Sequence, residues 1–315
     1  MELIADVGGT KTLLGIAHDG EPQAFTRFDN AAAPSFLALV ETYLSTLTPA
    51  QRANLDAACF AVAAPAGDVV RLTNRTHWRI DRAQLSALLG GIKVCLVNDF
   101  AAAAKGLVGL TPADLITLQP GSQAQEGLRL CLGPGTGFGV AALHHDTVLV
   151  SEGGHSGFAP VDTQQADLWR FLGGEHRRVT LERLCSGPGL VAIYRYCVMR
   201  SGHALPQDLA AAEVVRRARE NPATDATQAV RLFVRILGAA AGDLALTFLA
   251  RGGVYLAGGI APKLLPELQS DAFLHAFNDK AEHAALARTL PIHVVLREDL
   301  PLLGAARYAS ELASK

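Results

Sequence analysis

Two stretches of this 315-residue chain repeat one pattern. Leu3-Ile4-Ala5-Asp6-Val7-Gly8-Gly9-Thr10, followed by Leu13-Leu14-Gly15-Ile16-Ala17-His18, aligns without gaps with Arg129-Leu130-Cys131-Leu132-Gly133-Pro134-Gly135-Thr136, followed by Gly139-Val140-Ala141-Ala142-Leu143-His144. Each reads as strand, Gly-Thr turn, strand, because a short apolar run stops at residues that free the backbone and then resumes. A repeat of this grammar predicts two related lobes rather than one continuous sheet. The alternative is that two Gly-rich hairpins converged on the same turn chemistry.

The rest of the pattern alternates strands and helices, which defines an α/β class with a mixed sheet. In the first half the spacing predicts strands at Leu3–Val7, Thr12–Ala17 and Ala24–Phe28, a helix over Ser35–Leu47 and a buried strand at Ala57–Ala63. A helix opens at Asp81 with the capping-box pattern Asp81-x-x-Gln84. A strand follows at Lys93–Val97, then a helix from Asp99. In the second half helices are predicted at Thr163–Leu172, Pro188–Arg200, Ala210–Arg219 and Thr224–Ala250. Then come a strand at Gly253–Ala257, a helix after Gly258-Gly259, a strand at Ile292–Leu296 and a last helix from Leu302 to Leu312. Gly109, Thr111 and Pro112 break the pattern and place the domain junction near residues 108–112. No Ser/Gly linker separates the halves, so they are expected to pack across a cleft, a usual ligand site.

Composition narrows the partners. Charged residues are 18% and hydrophobic residues 50%, with 30 glycines, which fits a large core with many tight turns and excludes a disordered chain. The net charge is −2 and no Lys/Arg block is present, so nucleic acid is not an expected partner. Asp243 and scattered glycines interrupt every apolar run before the ~20 residues a membrane helix needs. The first residues carry neither a basic region nor a cleavage site, and a cytoplasmic protein is expected. Five cysteines, widely spaced and without a CxxC pair, read as reduced core thiols.

Several common machines are excluded by spacing. No Gly-Lys dipeptide occurs, so there is no P-loop. Glycines 133, 135, 137 and 139 miss the dinucleotide spacing, and Gly154-His155-Ser156-Gly157 is one residue short of the hydrolase elbow. What remains is anion binding by Gly-Thr turns. Gly8, Gly9 and Thr10 follow a strand and can turn backbone N–H groups and a hydroxyl towards phosphate. Gly133-x-Gly135-Thr136-Gly137 offers the same, and Gly258-Gly259 forms a third strand-ending turn. Asp6 can hold hydrated Mg2+, which takes one or two carboxylates plus phosphate oxygens. Asn98-Asp99 closes an apolar run, where the aspartate can act as a general base; the alternative is an N-cap pair. Glu152-Gly153-Gly154-His155 presents two polar side chains at a flexible corner, for a ligand or, alternatively, for zinc.

These residues carry a resemblance. Asp6-Val7-Gly8-Gly9-Thr10, Leu72-Thr73-Asn74 with Trp78, Asn98-Asp99-Phe100, Gly133-Pro134-Gly135-Thr136-Gly137, Glu152 through Pro160, Glu182-Arg183-x-x-Ser186-Gly187-Pro188-Gly189-Leu190 and Gly258-Gly259-Ile260 resemble, in order, the bacterial glucokinase family. The resemblance implies ATP-dependent phosphorylation of the 6-hydroxyl of glucose. It implies a two-lobed actin-like ATPase (ribonuclease H-like) fold, with a cleft between a small α/β domain and a large one. The small domain would be residues 1–110, to which helix 302–315 returns, and the large one 111–301. A homodimer is also implied. Carried over, Asn98, Asp99, Glu152, His155 and Glu182 hold the sugar, with Asp99 as base. Gly8, Gly9, Thr10, Gly135, Thr136 and Gly137 cradle the phosphates, and Gly258 and Gly259 border the adenosine.

Two positions depart from the family pattern: Pro134 stands where Ala is common and Lys11 where Asn is common, which leaves the phosphoryl donor open. The rivals are a related kinase acting on another hexose, a non-catalytic sugar sensor, and a chaperone-like or filament-forming ATPase. The related repressor/ORF/kinase group typically carries a Cys-rich zinc motif after the histidine, whereas Ser156-Gly157-Phe158-Ala159-Pro160 follows here.

Overall fold

The computed structural model describes residues 1–72, 75–122, 126–204 and 209–314. Thr73 and Asn74 of the motif that includes Trp78, and Lys315 of the last helix, lie outside the described residues. The strands are β1 (Glu2–Val7), β2 (Lys11–His18), β3 (Glu21–Asp29), β4 (Ala57–Val62), β5 (Val69–Leu72), β6 (Arg75–Asp81), β7 (Lys93–Asn98), β8 (Leu115–Gln119), β9 (Arg129–Pro134), β10 (Phe138–His144), β11 (Thr147–Ser151), β12 (Val254–Leu256) and β13 (Ile292–Val295). The α-helices are α1 (Phe36–Thr46), α2 (Pro49–Ala53), α3 (Arg82–Leu88), α4 (Asp99–Gly106), α5 (Thr163–Gly173), α6 (Gly187–Arg200), α7 (Ala211–Glu220), α8 (Asp225–Phe248), α9 (Leu265–Leu268), α10 (Asp271–Asn278), α11 (Ala284–Ala287) and α12 (Leu300–Ala313).

The chain divides into two compact units. The first comprises Met1–Thr111, Asp146–Val150 and Asp299–Lys315; the second comprises Pro112–His145 and Ser151–Glu298.

The first unit is built on a sheet of order β3-β2-β1-β4-β7, antiparallel through β1–β2–β3 and parallel through β1–β4–β7. Both faces of its central strands are buried, which is why they read as continuous apolar runs. The two-residue period sends Leu3, Ala5 and Val7 of β1 and Ala58, Phe60 and Val62 of β4 to one face. There they meet Phe36, Leu39, Val40 and Tyr43 of α1 and Trp78 and Ile80 of β6. Ile4, Cys59 and Ala61 point the other way, against Ala102 of α4 and Leu302, Ala305, Ala306 and Ala309 of α12.

The second unit repeats that path. Its sheet has the order β11-β10-β9-β12-β13-β8. An antiparallel hairpin, β9–β10, is followed by β12 parallel to β9 and β13 parallel to β12, as β4 is to β1 and β7 to β4. β8 is added at the far edge, antiparallel to β13. Shared strand order through both sheets is more than two convergent hairpins would produce, so the sequence repeat marks two related lobes. Leu130, Leu132, Val140 and Val254 pack with Ile193 of α6 and with Phe233, Ile236 and Leu237 of α8.

The structure extends or shifts the pattern read from the sequence in several places. The hairpin β5–β6 forms its own two-stranded sheet. Among the described side chains its inward residues are Val70, Leu72, Trp78 and Ile80, alternating with Arg71, Arg79 and Asp81, too short a run to stand out. The edge strands β8 and β11 also escaped detection, since neither has a fully buried residue. The helix expected directly after Gly258-Gly259 begins instead as a 3-10 turn at Pro262–Leu264, and the α conformation starts only at Leu265. Leu264 leaves helical geometry at φ −100° and ψ 18°, and Pro266, which lacks an N–H, is tolerated in the first turn of the helix that follows. The last helix starts at Leu300 rather than Leu302, because Pro301 is tolerated in a first turn.

Candidate active site

In the first unit β1, β4 and β7 run parallel, so their C-terminal ends share one edge of the sheet. The register pairs Asp6 with Ala61, Val7 with Val62, and Val62 with Asn98. That register brings Asp6, the Gly8-Gly9-Thr10 turn, Asn98 and Asp99 to the same edge. Gly8 N–H donates to the Lys11 carbonyl at 3.0 Å and closes the turn. Thr10 is exposed at its tip.

A residue that sequence reasoning passed over holds this turn. Asn30, fully buried just after β3, donates from Nδ2 to the Gly8 carbonyl at 2.8 Å. Its Oδ1 accepts from the Thr12 hydroxyl at 2.7 Å, and its N–H donates to the Thr10 carbonyl at 3.0 Å. One amide side chain thus straps both sides of the turn. Asn30→Leu leaves the Thr12 hydroxyl and the Gly8 carbonyl unmatched, at a cost of about 1–3 kcal/mol for a buried polar group. The expected result is a lower unfolding midpoint together with a roughly tenfold higher nucleotide KM, about the kinetic equivalent of 1.4 kcal/mol. A normal nucleotide KM in a variant with a lowered midpoint would separate the strap from nucleotide binding.

Asn98 is the N-cap of α4: its Oδ1 accepts from Phe100 N–H at 2.9 Å and Ala101 N–H at 3.1 Å. Its Nδ2 donates to the Ala64 carbonyl at 3.3 Å, leaving one amide hydrogen for a ligand. Asp99 is the first helical residue, and its Oδ1 accepts from Phe100 N–H at 2.9 Å. The cap reading and the ligand reading therefore describe different atoms of the same pair.

Burial, and next the negative charge of Asp99, raise the Asp6 carboxyl from 3.8 to about 7, with Lys11 pulling it down. Two carboxylates in mutual repulsion at a strand end are an environment in which a divalent cation relieves the strain. Because the folded state holds this proton more tightly than the unfolded chain, Asp6 costs nothing below about pH 4 and its full penalty is present above about pH 7. Asp6→Asn removes the penalty. Thermal unfolding in Mg2+-free buffer is expected to show a stability gain that widens from pH 5 to pH 8; a gain independent of pH would contradict the assignment.

In the second unit the parallel neighbours β9 and β12 bring Gly133–Gly137 and Gly258-Gly259 together. Gly135 N–H donates to the Gly137 carbonyl at 2.9 Å, closing the turn and leaving Thr136 exposed. Ala257 N–H donates to the Leu132 carbonyl at 2.7 Å and Ile260 N–H to the Pro134 carbonyl at 3.3 Å. Glu152 and His155 flank a 3-10 turn at Gly153–His155, with Oε2 and Nε2 4.0 Å apart. Their side chains are 63% and 59% exposed, so neither serves the core. Glu182 joins them, since its N–H donates to the Gly154 carbonyl at 2.8 Å. Gly154 is required by close approach: a Cβ there would lie 1.9 Å from the Phe138 carbonyl oxygen.

The zinc alternative at Glu152 and His155 finds no support. No cluster of three His, Cys, Asp or Glu side chains among the described residues could hold a metal ion. All five cysteines are free, four of them buried. Among the described residues no helix is long and apolar enough to cross a membrane.

Two lobes of one topology, each ending a central strand in a Gly-Thr turn, with Asp6 and Asp99 at strand ends of the first and the Glu152–His155 corner in the second, define a sugar kinase of the actin-like ATPase fold. A glucokinase from an Antarctic psychrotroph superposes with a TM-score of 0.85 at 31% identity, covering 98% of both chains. A ROK-family glucokinase from Streptomyces griseus, solved with glucose and AMPPNP, shares the fold at a TM-score of 0.66 and 17% identity, covering 98% of this chain and 99% of that one. The chain belongs to the glucokinase family, whose model matches residues 3–312. The glucokinase of Tolumonas auensis is 35% identical over 314 residues, 97% of this chain and 96% of the relative.

Proposed function

We propose that the chain is a glucokinase that transfers the γ-phosphoryl group of ATP to the 6-hydroxyl of D-glucose. The observation that carries this reading is the joining of Glu152, His155 and Glu182 to the Gly135–Gly137 turn within one unit. A polyol-binding corner beside a phosphate-binding turn fits a sugar kinase and has no role in a chaperone-like ATPase.

Asn98, Asp99, Glu152, His155 and Glu182 hold the sugar hydroxyls. An epimer would leave one of these groups unpaired, which is how such a rim discriminates. Gly8, Gly9, Thr10, Gly133, Gly135, Thr136 and Gly137 cradle the phosphates through backbone N–H groups and hydroxyls. Gly258 and Gly259 border the adenosine. Asp6 is the residue that would hold Mg2+, and its half-buried carboxyl beside Asp99 fits that ion; bound Mg2+ neutralises charge on the transferring phosphoryl oxygens. Asp99 takes the proton of the 6-hydroxyl as the new O–P bond forms and ADP leaves. A carboxylate is a weak base for an alcohol, so the proton moves late, and alignment supplies most of the acceleration.

The domain boundaries proposed are 1–110 with 302–315, and 111–301. We further propose a cytoplasmic homodimer, a reading supported by the family resemblance. The test is ADP production with ATP and a panel of glucose, mannose, galactose and fructose. Glucose is expected to give the highest kcat/KM; a faster reaction with another hexose would move the assignment to a related sugar kinase. No ADP with any sugar would favour a sensor.

A further inference from the structure

Glu182 touches both ends of the reaction proposed above. Its main chain is fastened to the sugar corner, with Glu182 N–H on the Gly154 carbonyl at 2.8 Å and Leu181 N–H on the Ser156 carbonyl at 3.0 Å. Its side chain is fastened to the phosphate turn, where Oε2 accepts from Phe138 N–H at 3.1 Å. The contact is close enough that a Cβ on Gly137 would stand 2.5 Å from that oxygen. A few residues on, Gly187 N–H donates to the Gly135 carbonyl at 2.8 Å, so the 182–187 segment braces the turn at two points.

This places a carboxylate against a turn whose task is to bind a polyanion. Charges of like sign a few ångströms apart repel. A turn N–H already engaged by a carboxylate is also a poorer donor to phosphate. A sugar hydroxyl that donates to Oε1 withdraws charge from the same carboxylate, which weakens the repulsion and loosens its hold on Phe138 N–H. Both effects have one sign: sugar binding improves phosphate binding, and by reciprocity nucleotide improves sugar binding.

We propose that Glu182 is the positioning residue through which the sugar site and the phosphate turn are energetically coupled, a role beyond holding a sugar hydroxyl that rests on the glucokinase reading. A residue that merely held sugar would alter glucose affinity and leave nucleotide affinity alone. A residue that merely braced the turn would weaken nucleotide when neutralised. The coupling role predicts the opposite sign.

The experiment is titration calorimetry of AMPPNP with Mg2+ on the full chain, without glucose and with saturating glucose. In the parent, glucose is expected to tighten AMPPNP about tenfold, within the usual range of coupling between sites. Glu182→Gln keeps an acceptor for Phe138 N–H but removes the charge. It is expected to bind AMPPNP without glucose about as tightly as the parent does with glucose, and glucose then adds less than about twofold. Glu182→Ala, which removes the acceptor as well, is expected to lose the coupling too and serves if the Gln variant does not fold. Retention of parental coupling in either folded variant, or weaker AMPPNP binding by Glu182→Gln, overturns the proposal. A parent that binds both ligands without coupling overturns it while leaving the glucokinase reading intact. A parent that binds neither ligand overturns both.

Discussion

Asp99→Asn is expected to lower kcat by at least about 100-fold, the low end of general-base effects, and the upper end is ~10⁴. The substitution is nearly isosteric, and the amide oxygen can still accept from Phe100 N–H, a bond that the Asp99 side chain makes at 2.9 Å. Asn98, which caps α4 with two bonds, is untouched. The fold and the approach to glucose therefore survive, while the group that receives the 6-hydroxyl proton is gone. The loss should appear in kcat, with the glucose Kd within a few-fold of the parent. Isothermal titration of glucose alongside the coupled assay separates the two. A variant with near-normal turnover would remove Asp99 from the role of base and shift attention to Asp6, its repelling neighbour.

The second large effect is expected from Gly304→Ala. An alanine Cβ at this position in α12 would lie 1.7 Å from the Ala102 carbonyl oxygen, 2.6 Å from its carbon and 3.0 Å from its Cα. These atoms are the backbone of α4, not the far end of a flexible side chain, so relief demands that one helix move away from the other. Overpacking of this kind typically costs 1–3 kcal/mol and here about 3 kcal/mol or more, given that only backbone can yield. A fall in Tm of roughly 6–12 °C corresponds, at about 2–4 °C per kcal/mol for a domain of 150–250 residues. Because α4 begins at Asp99, molecules that remain folded are also expected to turn over more slowly. Gly173→Ala, at a helical position with no atom within 4 Å of the added Cβ, is the control and is expected to be neutral or slightly stabilising. Equal midpoints for the two variants would show that α4 and α12 can separate at little cost.

Much of this architecture was legible in the sequence because the central strands are buried on both faces and bounded by glycine turns, as in Leu3–Val7 and Ala57–Val62. The lobe repeat was legible for the same reason. Glu152 and His155 were legible as a polar corner around two glycines, whereas Glu182 joined them only through resemblance, since nothing local ties Glu182 to Gly154 or to Phe138. Asn30 was invisible: its partners Gly8 and Thr12 lie a strand and a turn away, and an Asp-Asn pair after a strand ordinarily reads as a loop. The edge strands were missed because periodicity reports burial, and Leu115–Gln119 and Thr147–Ser151 are not fully buried. The mutual repulsion of Asp6 and Asp99 could not be read either, because it depends on β1 and β7 being placed on either side of β4.

The position of α12 bears on how the nascent chain matures. Ile4, Ala17, Cys59 and Ala61 form a sheet face whose cover includes Leu302, Ala305, Ala306 and Ala309, residues that leave the ribosome only after the whole inserted segment between Pro112 and Glu298. At about 5–20 residues per second, roughly 10–40 seconds separate emergence of α4 from emergence of α12. Throughout that interval the N-terminal sheet presents an apolar face that α4 covers only in part, while the segment between Pro112 and Glu298 already holds its own core. The inserted unit is thus free to fold first, and the N-terminal unit matures only once α12 has emerged. A chain that terminates before α12 is left with the surface that general chaperones and proteases recognise.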